Sequence, residues 1–275
     1  SEYPKKFIVH PGFFDKRVYK KKVKKKAKAI TSIAVFYDLP NPNDFVRDIS
    51  EILDNKGVWV LEQSYFPKLF FNNAYDSLCH EHLTYFTMYQ LNIMLHKNCL
   101  RVFDIKLNEM NGGSIRFFIS HKNSGHVNNN SIILKIKKIE KKYFDKLKIN
   151  LRKFKKNITK SKRELKNFVH KNKKEKKIIH LYGASTKGNI ILQYCRLTKK
   201  DIEFAADRNS EKWGRETPGS KIPIISETSS RIKKPDFYLV MPWHFKKEIL
   251  KREKIFLKHG GKLVFPLPKL NIVSK

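Results

Sequence analysis

The densest group of reactive side chains in the sequence is Tyr75-Asp76-Ser77-Leu78-Cys79-His80-Glu81-His82. Two imidazoles beside a carboxylate suit proton transfer, because histidine titrates near neutral pH and a glutamate can fix its tautomer. The spacing is not H-E-x-x-H, so the helical i, i+4 pair of a zinc protease is absent and no metal site is expected here. A satisfied interior hydrogen-bond cluster is the alternative reading of the same residues. A second group is Gly183-Ala184-Ser185-Thr186-Lys187-Gly188-Asn189, set between an expected strand and helix. Backbone N–H groups at such a helix start favour phosphate. Asn189 stands where a P-loop needs lysine, and the run is not G-x-G-x-x-G. Asp207 follows Gly188 by 19 residues, where a Rossmann unit holds a ribose hydroxyl. Asn111-Gly112-Gly113-Ser114-Ile115-Arg116 offers a flexible loop and a cation, and Pro242-Trp243-His244-Phe245 follows another expected strand. Tight turns, a surface Asp or Arg and aromatic packing would explain these pieces taken singly.

The elements that must position these groups alternate between strand and helix. Ile30–Tyr37 reads as a buried strand, with a turn at 38–42. Asn43 is the expected N-cap of a helix over 44–55, and Gly57 its stop before a strand at 58–62. Residues 66–100 read as mostly helical, and strands at 101–106 and 114–121 as a hairpin. Ile132, Ile136, Ile139, Tyr143, Leu147, Leu151 and Phe154 are spaced as one amphipathic helix over 131–155. Ser161 opens an expected second helix to about 170, with 171–177 as a linker. A second α/β unit then runs through a strand at 178–182, a helix at 187–197, strands at 202–206 and 237–241, a helix to 258 and a strand at 262–265. The expected class is therefore α/β.

The charge is unusual. Fifty-nine Lys and Arg against 25 Asp and Glu leave +34 over 275 residues. Residues 131–177 contribute +16 and residues 16–28 contribute +9, both apart from the motifs above. These runs read as solvated faces inflated by base composition. A basic nucleotide- or RNA-binding protein is the competing class, although no RNA- or DNA-reading motif accompanies the charge. Three scattered cysteines, Cys79, Cys99 and Cys195, argue for a reducing compartment. No apolar run reaches the ~20 residues of a membrane helix. The start, Ser1-Glu2-Tyr3-Pro4, has no signal-peptide apolar region. The expected location is cytoplasmic.

Taken together and in order, Tyr75–Tyr85, Asn111–Arg116, Tyr182–Asn189 and Pro242-Trp243 resemble the nucleotide-sugar C-methyltransferases. The resemblance covers about residues 30–270. It implies a partial class I AdoMet methyltransferase sheet, then a helical connector and a Rossmann-like C-terminal domain. The implied division is 1–100 for the AdoMet-domain remnant and 101–275 for the C-terminal domain, with the hairpin, the connector at 131–177 and the nucleotide-sugar lobe at 178–275. It implies that a zinc-binding cysteine domain and the Gly-rich strand–loop for AdoMet lie outside this sequence, so an N-terminally truncated chain is expected. Zinc is expected only in that outer domain. The implied reaction is C-methylation of a nucleoside-diphosphate keto-sugar by S-adenosyl-L-methionine through an enolate. His82 is implied as base and Glu81 as its partner, with His80 and Cys79 beside them. Tyr75, Asn111, Gly112, Arg116, Gly183, Ser185, Thr186, Lys187, Asn189, Asp207 and Trp243 are implied to bind the sugar nucleotide. Cys79 stands where some members have Tyr, Ala34 and Asp38 where part of the family has Asn and His, and His244 where Asn often follows Pro-Trp. These departures leave the sugar open.

Overall fold

A computed structural model describes residues 7–275. The expected features of Ser1–Pro4 lie outside the described residues. The stretch before residue 30 contains α1 (Lys16–Lys22), whose N-cap Asp15 accepts from the Arg17 N–H. Strand β1 (Ala27–Ile33) begins and ends earlier than expected, because Ala34 turns into left-handed backbone at φ 55°. Helix α2 (Pro42–Ile52) is capped at Asn41 with Pro42 as its first residue. Proline lacks the N–H that the first turn leaves unused, and so it displaces the start expected after Asn43.

Gly57 is not a helix stop. It lies inside β2 (Leu53–Ser64), where β2 advances from Leu53 to Val58 while β1 advances only from Ala27 to Ala29. A Cβ on Gly57 would sit 2.8 Å from the Ala27 carbonyl oxygen, so this bulge has room only for glycine. Between β2 and the next strand, only α3 (Phe66–Phe71) and α4 (Met88–Lys97) are α-helical, with a short 3-10 turn at Tyr75–Ser77. The expectation of a mostly helical 66–100 is therefore corrected for residues 78–87. The hairpin of β3 (Leu100–Asn108) and β4 (Ser114–His121) forms as expected.

The single helix expected over 131–155 is two: α5 (Asn130–Phe144) and α6 (Leu147–Lys174). Lys146 leaves helical geometry at φ −119°, ψ 27°. Ser161 is no cap, since it is buried within α6, and the helix runs through most of the expected linker. There follow β5 (Ile179–Tyr182), α7 (Thr186–Cys195), β6 (Phe204–Asp207), β7 (Ile224–Ser226), α8 (Glu227–Ile232), β8 (Phe237–Val240), α9 (Lys246–Arg252), α10 (Lys254–Lys258), β9 (Lys262–Phe265) and β10 (Asn271–Val273).

The chain divides into two compact units, and the division differs from a cut at residue 100. The first holds the residues up to Phe66, Leu83–Asn108 and Ser114–Asp145. The second holds Pro67–His82, Glu109–Gly113 and Lys146–Lys275. In the first unit the sheet order is β1-β2-β4-β3, with β1 and β2 parallel and the rest antiparallel. Its core gathers Phe36, Trp59, Leu61, Leu91 and Phe117. In the second unit the order is β10-β9-β8-β5-β6-β7, parallel throughout except for edge strand β10. The architecture is α/β, as expected. Among the described residues no helix is long and apolar enough to cross a membrane.

Candidate active site

In the second unit, β5 leads through β6 to β7 on one side, and the chain then returns to place β8 on the other side of β5. The C-terminal ends of β5 and β8 therefore flank the point where strand order reverses, which is where open α/β sheets take ligands. The loop after β5 is built for close approach. Gly183 has φ +87°, and a Cβ there would lie 3.1 Å from Pro242. Ser185 caps α7 by accepting from the Gly188 N–H at 3.1 Å. A Cβ on Gly188 would meet the Met241 side chain at 2.8 Å. Thr186 is exposed in the first turn, and Asn189 is half-buried with its side-chain oxygen unpartnered.

Asp207 secures this loop. One carboxylate oxygen accepts from the Ala184 N–H at 2.8 Å and from Lys212 at 3.3 Å, and the other from the Asn209 N–H at 2.8 Å. Lys212 also donates to the Ala184 carbonyl at 2.9 Å. The residue expected at a ribose thus has a structural duty inside the protein.

The first motif meets the loop through its 3-10 turn. The indole N–H of Trp243 donates to Asp76 Oδ2 at 2.8 Å, and Asp76 is wholly buried. Lys187 donates to the Asn111 carbonyl at 2.8 Å. Asn72 donates to the Gly112 carbonyl at 2.6 Å. Gly112, at φ +87°, brings its backbone so close to Trp243 that a Cβ would lie 3.0 Å from the ring. Residues from all four motifs are thereby brought together in one unit.

The electrostatics follow from burial. Loss of water pushes the Asp76 carboxyl up, against the pull of Lys187 and the Trp243 hydrogen bond. Burial pushes Lys187 down, while Asp76 and then Cys79 oppose that shift. His244 is held down at about 4, by burial and then by the Lys187 charge. Tyr75 is buried with its hydroxyl 3.9 Å from the Cys195 sulfur, and burial raises both groups, the thiol to about 11. Tyr75, expected against the sugar, is therefore packed inside the unit.

The His-Glu-His run is neither helix nor strand but a turn, and the His82 N–H donates to the Cys79 carbonyl at 3.2 Å. Cys79 is buried, His80 and Glu81 are exposed, and His82 is half-buried. Arg116 lies on β4 in the first unit, where its Nε donates to buried Glu62 at 2.6 Å. Asp76 and His244 were not assigned from the sequence. The only local signal for Asp76 is a single acid among residues that are otherwise buried. Among the described residues, no three His, Cys, Asp or Glu side chains gather to hold a metal.

A family described as the C-methyltransferase C-terminal domain matches residues 109–268, more than half of the 275. The chain belongs to this C-methyltransferase family. C-methyltransferase NovU of Streptomyces niveus is 29% identical over 239 residues, covering 87% of this chain and 57% of that protein. The chain thus spans a little over half the length of the curated relative it matches. The matched C-methyltransferase region contains the Asn111 turn, the 183–189 loop, Asp207 and Trp243.

Proposed function

We propose that this chain is the proton-handling and substrate-binding part of an AdoMet-dependent C-methyltransferase whose substrate is a keto-sugar linked to a nucleoside diphosphate. The observation that carries the reading is the joining of four separated motifs by the Trp243–Asp76, Lys187–Asn111 and Gly112–Trp243 contacts. The family membership supports the reaction class, and the loop at the sheet's switch point supports an anionic ligand.

The described residues of the first unit do not by themselves fit an AdoMet cradle. The glycines of the first unit are Gly12, Gly57 and Gly125, and none lies in a tight strand-to-helix turn. AdoMet supplies an electrophilic methyl group when bound, and no contact to it is assigned to these residues. What this chain contributes is acid–base chemistry and binding. His82 takes the proton from the carbon beside the ketone, and the C–H electron pair passes into the enolate. Glu81 orients the imidazole, with His80 and Cys79 at the margin of the same turn. The diphosphate lies against the α7 start, where the N–H groups near Thr186 and the Lys187 ammonium meet negative charge. Asp207 holds the loop in shape. Arg116, engaged by Glu62, receives no role toward the sugar.

Proton exchange tests this assignment without waiting for methyl transfer. In the full-length protein, His82→Ala should abolish exchange of the alpha proton of a nucleoside-diphosphate keto-sugar into deuterated water. Exchange at the wild-type rate would remove His82 from the base role.

A further inference from the structure

Asp76 is the deepest carboxylate of the second unit's motif cluster and has no place in the chemistry above. Its surroundings are unusual for a purely structural acid. Oδ2 accepts from the Trp243 N–H at 2.8 Å, whereas Oδ1 is buried without a well-formed hydrogen bond, and the Asp76 and Ser77 N–H groups lend the carboxylate only weaker support. A buried carboxylate normally collects several donors or a cation in contact. The cation that acts on it is engaged elsewhere: Lys187 donates to the Asn111 carbonyl at 2.8 Å. An ammonium has three donors, and the bond to Asn111 uses one.

We propose that Asp76 is a positioning residue: held by the indole of Trp243, its carboxylate is the fixed counter-charge that keeps the Lys187 ammonium available at the start of α7 for the substrate's diphosphate. This deepens the proposed function and rests on the reading of the 183–189 loop as an anion site. The charge balance supports it. Burial drives both Lys187 and Asp76 toward their neutral forms, and each is the largest of the groups that oppose this shift in the other. The other titrating side chains in the cluster do not replace it. His244 is neutral above about 4, and the buried Tyr75 hydroxyl is pushed up. A direct ion pair would tie up the ammonium, whereas a counter-charge set back from it holds the charge and leaves donors free. Trp243 has the same logic, since its N–H stabilises the ionised form of Asp76.

Two measurements on the full chain separate the inference from the reading beneath it. The first is NMR titration of lysine labelled at the ε-carbon, with the Lys187 signal assigned by its loss in Lys187→Arg. Asp76→Asn keeps the shape and an acceptor for Trp243 but removes the charge. It should lower the Lys187 titration midpoint by about one to three pH units. An unchanged midpoint overturns the inference. If Asp76→Asn does not fold, Trp243→Phe makes the same test, with a lower midpoint expected and an unchanged one again overturning it.

The second measurement is calorimetric binding of inorganic pyrophosphate, the part common to nucleoside diphosphates, across pH 6 to 10. In Asp76→Asn, the loss of affinity at high pH should set in at lower pH than in the wild-type chain, and affinity should fall about tenfold where only the variant has lost the Lys187 proton. Superimposable pH profiles overturn the inference. Failure of the wild-type chain to bind pyrophosphate overturns the anion-site reading, and the NMR midpoint then judges the Asp76–Lys187 coupling alone.

Discussion

His180 is wholly buried on β5, with Nδ1 2.8 Å from the Ser230 hydroxyl, which is itself 2.8 Å from the Tyr238 hydroxyl. Burial holds its pKa at about 4, helped by the Lys233 charge, against 6.5 for a free imidazole. Between those values the unfolded chain takes a proton and the folded one does not. Its contribution is therefore fully present above pH 6.5 and is lost as pH falls toward 4, at up to about 1.4 kcal/mol per pH unit. His244 has the same sign and range. Urea unfolding should give a lower midpoint at pH 5 than at pH 7.5. His180→Phe should be less stable at both pH values but less sensitive to the change between them; an equal pH slope would clear His180 of the effect.

At the scale of elements, a carboxylate on one helix caps another. Glu140 of α5 is buried and accepts from the Met88 N–H at 2.7 Å, the Tyr89 N–H at 3.1 Å and the Tyr65 hydroxyl at 3.1 Å. The N–H groups at the start of α4 have no partners within their own helix, and a negative charge there also meets the helix dipole. Glu140→Ala strands three donors, two of them buried, and should cost about 2–4 kcal/mol, with Glu140→Gln costing less. Thermal unfolding of the three proteins checks that order.

Such long-range caps mark the limit of what the sequence reveals. Local patterns were legible: β5, the turn into α7 and the β3–β4 hairpin stand close to where apolar runs and glycines put them. The apolar spacing from Ile132 to Phe154 looked continuous because it is helical on both sides of the break. Yet Tyr143 is buried in the first unit and Phe154 in the second, and Leu151 between them is exposed. Strands β7 and β10 are three residues each, too short for alternation to register. The Asp76–Trp243 bond joins positions 167 residues apart, and no local periodicity encodes it.

At the scale of the whole molecule, the charge and the threading matter most. The lysines of α6 are mostly exposed, while Phe154, Leu165 and Val169 face inward, as a solvated basic face requires. The chain passes between its two units five times, at 66/67, 82/83, 108/109, 113/114 and 145/146. The second unit is therefore not its C-terminal stretch alone. A fragment of residues 146–275 would lack Tyr75, which packs on Tyr194 and Cys195, and Asp76, which satisfies Trp243. It should melt at lower temperature than the same unit in the full chain, and a peptide of residues 67–82 should raise its melting point. A fragment as stable as the intact unit would show those segments to be dispensable.

The same threading governs recombination. A chimera of two related enzymes joined at 145/146 takes Asp76 and the Asn111 turn from one parent but Lys187 and Trp243 from the other. Its site would then be a hybrid, even though the junction falls in the break between two helices. A single crossover before Pro67 takes all four from one ancestor. Exchange of substrate preference between relatives should therefore follow the parent of residues 67–275, whichever parent supplies the N-terminal part.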